Sequence, residues 1–174
     1  MMRVITGSAR GRRLETLPGE DVTRPTTESV KEALFSMIQF DIEGRRVLDL
    51  FAGSGQLGIE ALSRGARSCT FVENNRAHCR LEEQANVVFS DAVSFLNRSG
   101  TYDLVLLDPP YGKGILQRVL PTLVPRLSDD AMVVCESGRD EELPAQVGSF
   151  VLDRERRHGK TKIALYLRRK DLAE

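Results

Sequence analysis

The sequence predicts an α/β fold on a mostly parallel sheet, and three observations carry that prediction. A short apolar run, Val47-Leu48-Asp49-Leu50, passes through a glycine-rich turn into a segment with Leu57, Ala61 and Leu62 at helical spacing. Apolar runs of strand length alternate with helical patterns along the rest of the chain, the pattern of βαβ units. Residues 102–107, Tyr-Asp-Leu-Val-Leu-Leu, are almost continuously apolar, as a strand buried on both faces should be.

Taken in order, residues 3–6 and 12–15 flank Gly7-Ser8-Ala9-Arg10-Gly11 and read as a small basic hairpin. Arg24-Pro25-Thr26-Thr27-Glu28 then opens a helix. A threonine serves as N-cap, and Val30, Ala33, Leu34, Met37 and Ile38 form one apolar stripe. The glycine-loop helix ends at Gly65, a residue suited to a C-cap. Strands are expected at residues 68–73 and 86–89, with a helix at 76–84 between them. Only Ala85 separates that helix from the strand, a compressed connection for an α/β unit. Asp91 is placed to cap a helix running to Leu96. A helix at 115–127 contains Pro121 and Pro125 and should kink or split. Residues 131–135 read as a fifth strand. Residues 149–152 and 163–167 read as a closing hairpin whose connector holds Arg156, Arg157 and Lys160.

With 174 residues, one domain is expected, and it can bury a core without disulfide or metal staples. An apolar fraction of 41% and a charged fraction of 29% are ordinary for a globular protein. No apolar run reaches membrane-spanning length and the first residues lack a signal-peptide core, so a cytoplasmic protein without membrane contact is expected. Cys69, Cys79 and Cys135 lie far apart and read as buried hydrophobes in a reducing compartment. With two histidines, a metal site is not expected. The net charge is zero, which by itself argues against a protein that coats nucleic acid non-specifically. Its distribution is uneven. Arg3, Arg10, Arg12 and Arg13 crowd the first residues, and eight basic residues lie between 154 and 170 against Glu155 alone. Phosphate-binding patches and plain solvated faces both account for this.

Two ligand classes compete for the glycine turn. Gly53-Ser54-Gly55-Gln56-Leu57-Gly58 satisfies the dinucleotide fingerprint G-x-G-x-x-G, and Glu73 sits near the distance of a ribose-binding acid. Asp49, however, ends the strand immediately before the turn. It would repel a pyrophosphate and attract the cationic S-adenosylmethionine (AdoMet). The central strand ends in a second motif, Asp108-Pro109-Pro110-Tyr111. Carboxyl ends of neighbouring strands in such a sheet face one crevice, so Asp108 and Asp49 should border the same pocket. An exocyclic amine is a poor nucleophile because its lone pair is conjugated with the ring. A carboxylate at Asp108 and a rigid carbonyl at Pro109 can accept its two N–H groups and favour a pyramidal nitrogen. Tyr111 offers a ring on which an extruded base can stack.

D-x-F-x-G-x-G followed some fifty residues later by D-P-P-Y resembles the methyltransferases of exocyclic amines. Arg3-Val4-Ile5-Thr6-Gly7, Arg24-Pro25-Thr26-Thr27 and Lys31-Glu32-Ala33-Leu34-Phe35 extend the match. With them, the chain resembles the bacterial 16S rRNA guanine-N2 methyltransferases of the RsmD type over nearly its whole length. The resemblance implies a Rossmann-like class I methyltransferase fold, a mostly parallel seven-stranded sheet with helices on both faces. Residues 1–40 would form a hairpin-and-helix extension and residues 41–174 the AdoMet-binding core of a single domain. It further implies a monomer acting on 16S rRNA or the assembling 30S subunit. Asp49, Phe51, Ala52, Gly53, Ser54, Gly55, Glu73, Asn74, Asp91, Ala92 and Asp108 would bind AdoMet. Asp108, Pro109, Pro110 and Tyr111 would be catalytic. Arg10, Arg12, Arg24, Thr26 and Tyr111 would meet the RNA, with the N-terminal arginines flanking the crevice. One departure stands out: the span from Glu73 to Asp91 is shorter than the family carries by roughly two helical turns. A DNA or RNA adenine-N6 or cytosine-N4 methyltransferase is the nearest alternative, because D-P-P-Y does not name the base. An NAD-dependent oxidoreductase and a non-catalytic RNA-binding module are more remote.

Overall fold

The computed structural model describes residues 2–14, 28–74 and 86–169. Two short strands, β1 (Met2–Arg3) and β2 (Arg13–Leu14), pair antiparallel as the N-terminal hairpin. Helix α1 (Glu28–Ile38) leads to β3 (Arg46–Asp49), α2 (Gln56–Ser63) and β4 (Ser68–Glu73). After β5 (Asn86–Phe89), α3 (Ala92–Leu96) and β6 (Tyr102–Leu107) comes α4 (Ile115–Leu123), followed by a 3-10 turn at Val124–Arg126. The chain closes with β7 (Leu127–Gly138), β8 (Gln146–Val147), β9 (Phe150–His158) and β10 (Thr161–Arg168).

The main sheet runs β5-β4-β3-β6-β7-β10-β9-β8. The first five strands of that order are mutually parallel, and the last three are antiparallel. β6 lies at the centre and alternates its faces. Leu104 and Leu106 join the core beneath α1 and α2, whereas Val105 and Leu107 join the core beneath α3 and α4. Two apolar layers on one sheet explain why this strand reads as a continuous apolar run.

Most of these elements stand where their sequence pattern predicts them. The strands at 68–73, 86–89 and 102–107 and the Asp91 cap are as expected. The helix expected at 115–127 ends at Leu123 and passes into the 3-10 turn that contains Pro125, while Pro121 stays inside α4. Four expectations need correction. The sheet has eight strands rather than seven, because the two-residue β8 is too short to leave a periodic signal. Leu62 is over a third exposed on α2 instead of joining its buried stripe. β7 runs well beyond 131–135 at both ends. Arg156 and Arg157 lie on β9 itself, and only Gly159 and Lys160 form the turn. The helix expected at 76–84, with Cys79, lies outside the described residues; Cys69 and Cys135 are buried free thiols. Among the described residues no helix is long and apolar enough to cross a membrane.

Candidate active site

Acidic residues stand at or near the carboxyl ends of four neighbouring strands: Glu73 on β4, Asp49 on β3, Asp108 just beyond β6 and Glu136 on β7. All four are buried, with exposures of 8%, 1%, 6% and 0% respectively. Register ties them together, since Asp49 pairs with Phe71 and Leu106, and Leu107 with Cys135. Carboxylates are rarely buried without a reason, and four at one edge of a sheet mark a site. Glu136 was not among the sequence candidates. Its signal was the one the other three share, an acid directly after an apolar run.

The glycine turn is held by two of these acids. Asp49 Oδ2 accepts the N–H of Gly58 at 3.0 Å, in the first turn of α2, where a helix leaves its N–H groups unpaired. Its other oxygen is buried with no hydrogen-bond partner among the described residues. Burial lifts the Asp49 carboxyl to about 7; the nearby Glu73 adds to this, and the Gly58 bond opposes it. Glu73 Oε2 accepts the N–H of Gly53 at 2.8 Å. Gly53 and Gly55 have φ of 53° and 78°, the left-handed region that glycine tolerates, and a Cβ on Gly53 would meet none of the described residues within 4 Å. Gly58 serves packing instead. A Cβ there would come within 2.3 Å of the Phe71 ring, so its absence lets α2 lie on β4. No side chain caps α2 through Gly55. Once ionised, Asp49 sets a negative charge against the first turn of the helix, where a pyrophosphate would sit, and so disfavours an anion there and favours a cation.

Asp91 caps α3, its Oδ1 accepting the N–H of Ser94 at 2.9 Å, and these bonds lower its pKa. Phe51, Ser54 and Ala92 are half-buried, Ala52 is buried and Asn74 is exposed, all around the same carboxyl edge.

Pro109 is buried, Pro110 exposed and Tyr111 half-buried. The Tyr111 hydroxyl donates to Glu136 Oε1 and lies 3.4 Å from Thr161 Oγ1 on β10. Glu141 Oε2 accepts the N–H groups of Gly112 and Gly138 at 3.2 and 3.4 Å. The loop after the central strand is therefore clamped from β7 and its following turn. Beside it opens a cleft of about 470 Å³ lined by Tyr111, Gly138, Arg139, Glu141 and Lys160, among others.

The N-terminal hairpin is seated elsewhere. Its two strands pair near α1, where Arg3 meets Glu28 at 3.0 Å, but its turn reaches the far end of α2. There the N–H of Ser8 donates to the Ser63 carbonyl at 2.8 Å, and a Cβ on Gly7 would lie 1.8 Å from that oxygen. Ser63 ends α2 on the amino side of the parallel strands. Arg10, in the turn, is carried away from the crevice that the sequence reading had it flank, and Arg12 sits part-way along. Glu60 and Lys31 fasten this hairpin. Glu60, fully buried, accepts the N–H groups of Ile5 and Thr6 at 2.8 and 3.0 Å and pairs with Lys31 and Arg64 at 3.5 and 2.9 Å. Arg24 and Thr26 lie outside the described residues. Among those residues, no cluster of three or more His, Cys, Asp or Glu is placed to hold a metal ion.

Residues 2–167 match the family described as conserved hypothetical protein 95. Ribosomal RNA small subunit methyltransferase D of Escherichia coli K12 is 37% identical over 179 residues, covering 96% of this chain and 90% of that protein. YlbH of Bacillus subtilis is 41% identical over 185 residues, spanning 97% of this chain and all of that protein. An alignment of that length exceeds the 174 residues of the chain, so this relative carries residues the chain lacks. The solved structure of yhhF from Escherichia coli superimposes with a TM-score of 0.84 at 37% identity, covering 96% of this chain and 97% of that one.

Proposed function

The chain belongs to the RsmD family of rRNA methyltransferases, and from that membership we propose that it methylates the exocyclic N2 amine of one guanine in 16S rRNA, with AdoMet as donor. The observation that carries the reading is the placement of Asp108. It is buried at the end of the central strand, next to the strand that ends in Asp49 and the glycine turn.

AdoMet supplies an electrophilic methyl group on a cationic sulfur. The turn suits such a ligand better than an anion: among the described residues Asp49 presents a buried oxygen without a partner and Gly53 has nothing against it, and the neighbouring strand ends carry carboxylates. Asp49, residues 51–55, Glu73, Asn74, Asp91 and Ala92 would hold it. Asp108 accepts one N–H of the guanine amine and the Pro109 carbonyl the other, which turns the nitrogen lone pair into the crevice. Proline at 109 and 110 fixes that carbonyl. Tyr111, its hydroxyl anchored on Glu136, presents a ring of set orientation for the extruded base. No strong base is needed, because the amine becomes acidic once it is methylated.

The test is radiolabelled AdoMet with naked 16S rRNA, assembled 30S particles and duplex DNA, followed by nucleoside analysis of the product. N2-methylguanosine in the rRNA is the expected outcome. Label in DNA, or N6-methyladenine or N4-methylcytosine, would overturn the assignment. Whichever substrate takes up label first also identifies the natural acceptor.

A further inference from the structure

We propose that the outer edge of β9, with the β9–β10 turn, is the docking surface for the RNA phosphate backbone; the proposal rests on the rRNA reading above. β8 pairs with only the first residues of β9, Phe150 and Val151, and no strand among the described residues covers its edge from Asp153 to His158. All six of those residues are exposed. An uncovered edge needs charge to resist pairing with another chain, and charge of either sign would do. Here positive charge is in excess. Arg154, Arg156, Arg157 and Lys160 stand against two acids, and both acids are engaged: Asp153 with Arg154 at 3.5 Å and Glu155 with Lys162 at 3.0 Å. Arg156, Arg157 and Lys160 have no ion pair among the described residues, which leaves three cations for an outside partner.

Register puts this edge at the crevice. Thr161 pairs with Gly138 and with His158, so the turn lies at the carboxyl end of β7, beside Tyr111. The N–H of Arg139 donates to the Lys160 carbonyl at 2.9 Å and its guanidinium to the Gly159 carbonyl at 3.1 Å, which braces the turn. Lys160 lines the cleft that Tyr111 lines. Arg154 and Arg156 pair with Leu165 and Ile163, residues of the core under α1, and so share that face. On the same face His158 Nε2 lies 3.2 Å from Ser29 Oγ at the start of α1. A phosphate backbone laid along β9 would deliver one nucleotide to Tyr111. Surface cations bind such a chain through counterion release, with a slope set by the number of phosphates met.

The test compares the full-length chain with Arg156→Gln/Arg157→Gln and with a charge-matched control, Arg67→Gln/Arg98→Gln, at the amino end of the sheet. Affinity for naked 16S rRNA and for 30S particles is measured across a salt series. The hairpin variant should flatten the log–log salt slope by roughly one to two, while the control keeps the parent slope. Calorimetric AdoMet affinity and melting temperature should match the parent for both, since all four side chains are exposed. A hairpin variant with the parent's slope, or a control flattened equally, overturns the docking surface while leaving the methyltransferase reading in place. If the parent neither binds nor methylates either substrate, the rRNA reading fails and the docking surface falls with it.

Discussion

The Tyr111 hydroxyl donates a hydrogen bond to the carboxylate of Glu136, a fully buried residue on the strand beside the one that Tyr111 follows. Burial, and after it the Glu136 charge, drives the phenol pKa far above its ordinary value, so it stays a donor at any working pH. The ring is thus fixed from β7 rather than by its own loop, and its face is left for a base.

Tyr111→Phe keeps the ring and removes one donor from Glu136. It should cost about 1–3 kcal/mol in urea denaturation, the range for a hydrogen bond to a buried charge. Tyr111→Ala also removes the stacking surface and should lower methyl transfer well below the Phe variant, by roughly a further 1–3 kcal/mol. Equal single-turnover rates for the two variants would discard the stacking role.

Asp49 links stability and ligand binding to pH. Its folded pKa near 7 lies above that of an exposed aspartate, about 3.9, so the folded chain holds a proton that the unfolded chain releases. Stability should therefore fall as pH rises from about 4 to about 7 and level off above, a change on the order of 4 kcal/mol. Asp49→Asn should remove this slope from denaturation curves. AdoMet, being cationic, favours the ionised carboxylate, and its affinity should rise by up to about tenfold per unit as pH approaches 7. The uncharged-sulfur product, S-adenosylhomocysteine, should show a shallower dependence. Identical pH profiles for the two ligands would separate Asp49 from the sulfonium.

Asp108→Ala should cut the single-turnover methylation rate on the order of a hundredfold or more, the loss expected for one preorganised hydrogen-bonding group. AdoMet affinity measured by calorimetry should change little by comparison. A parent-like rate would rule out Asp108 as the residue that orients the amine.

Glu60→Ala removes the acceptor that joins the N-terminal hairpin, Lys31 and Arg64. Lys31 is left buried at 1% exposure without its carboxylate, and breaking such a pair costs roughly 3–5 kcal/mol. Hydrogen exchange should then accelerate at Ile5 and Thr6, whose N–H groups Glu60 accepts. Unchanged protection there would mean that the hairpin is held by other contacts.

Sequence alone determined the parallel core, because strands buried on both faces must be apolar throughout and the helices between them must carry one stripe. It also located Asp49 and Asp108, since an acid at the end of an apolar run and ahead of a glycine or proline turn is a local pattern, and Glu73 by its spacing from the glycine turn. It did not expose Glu136, Glu60 or Lys31 as buried, because each is a charged residue buried against a partner 25 or more positions away in the chain. Nor could it say where a hairpin turn points. Arg10 and Arg156 sit in equally basic stretches, yet docking on Ser63 sends the first to the amino end of the sheet. Antiparallel pairing with β7 brings the turn near the second to the carboxyl end. Periodicity records which face of an element is buried; the end of the sheet that a turn reaches is set by strand order and direction, which only tertiary pairing fixes.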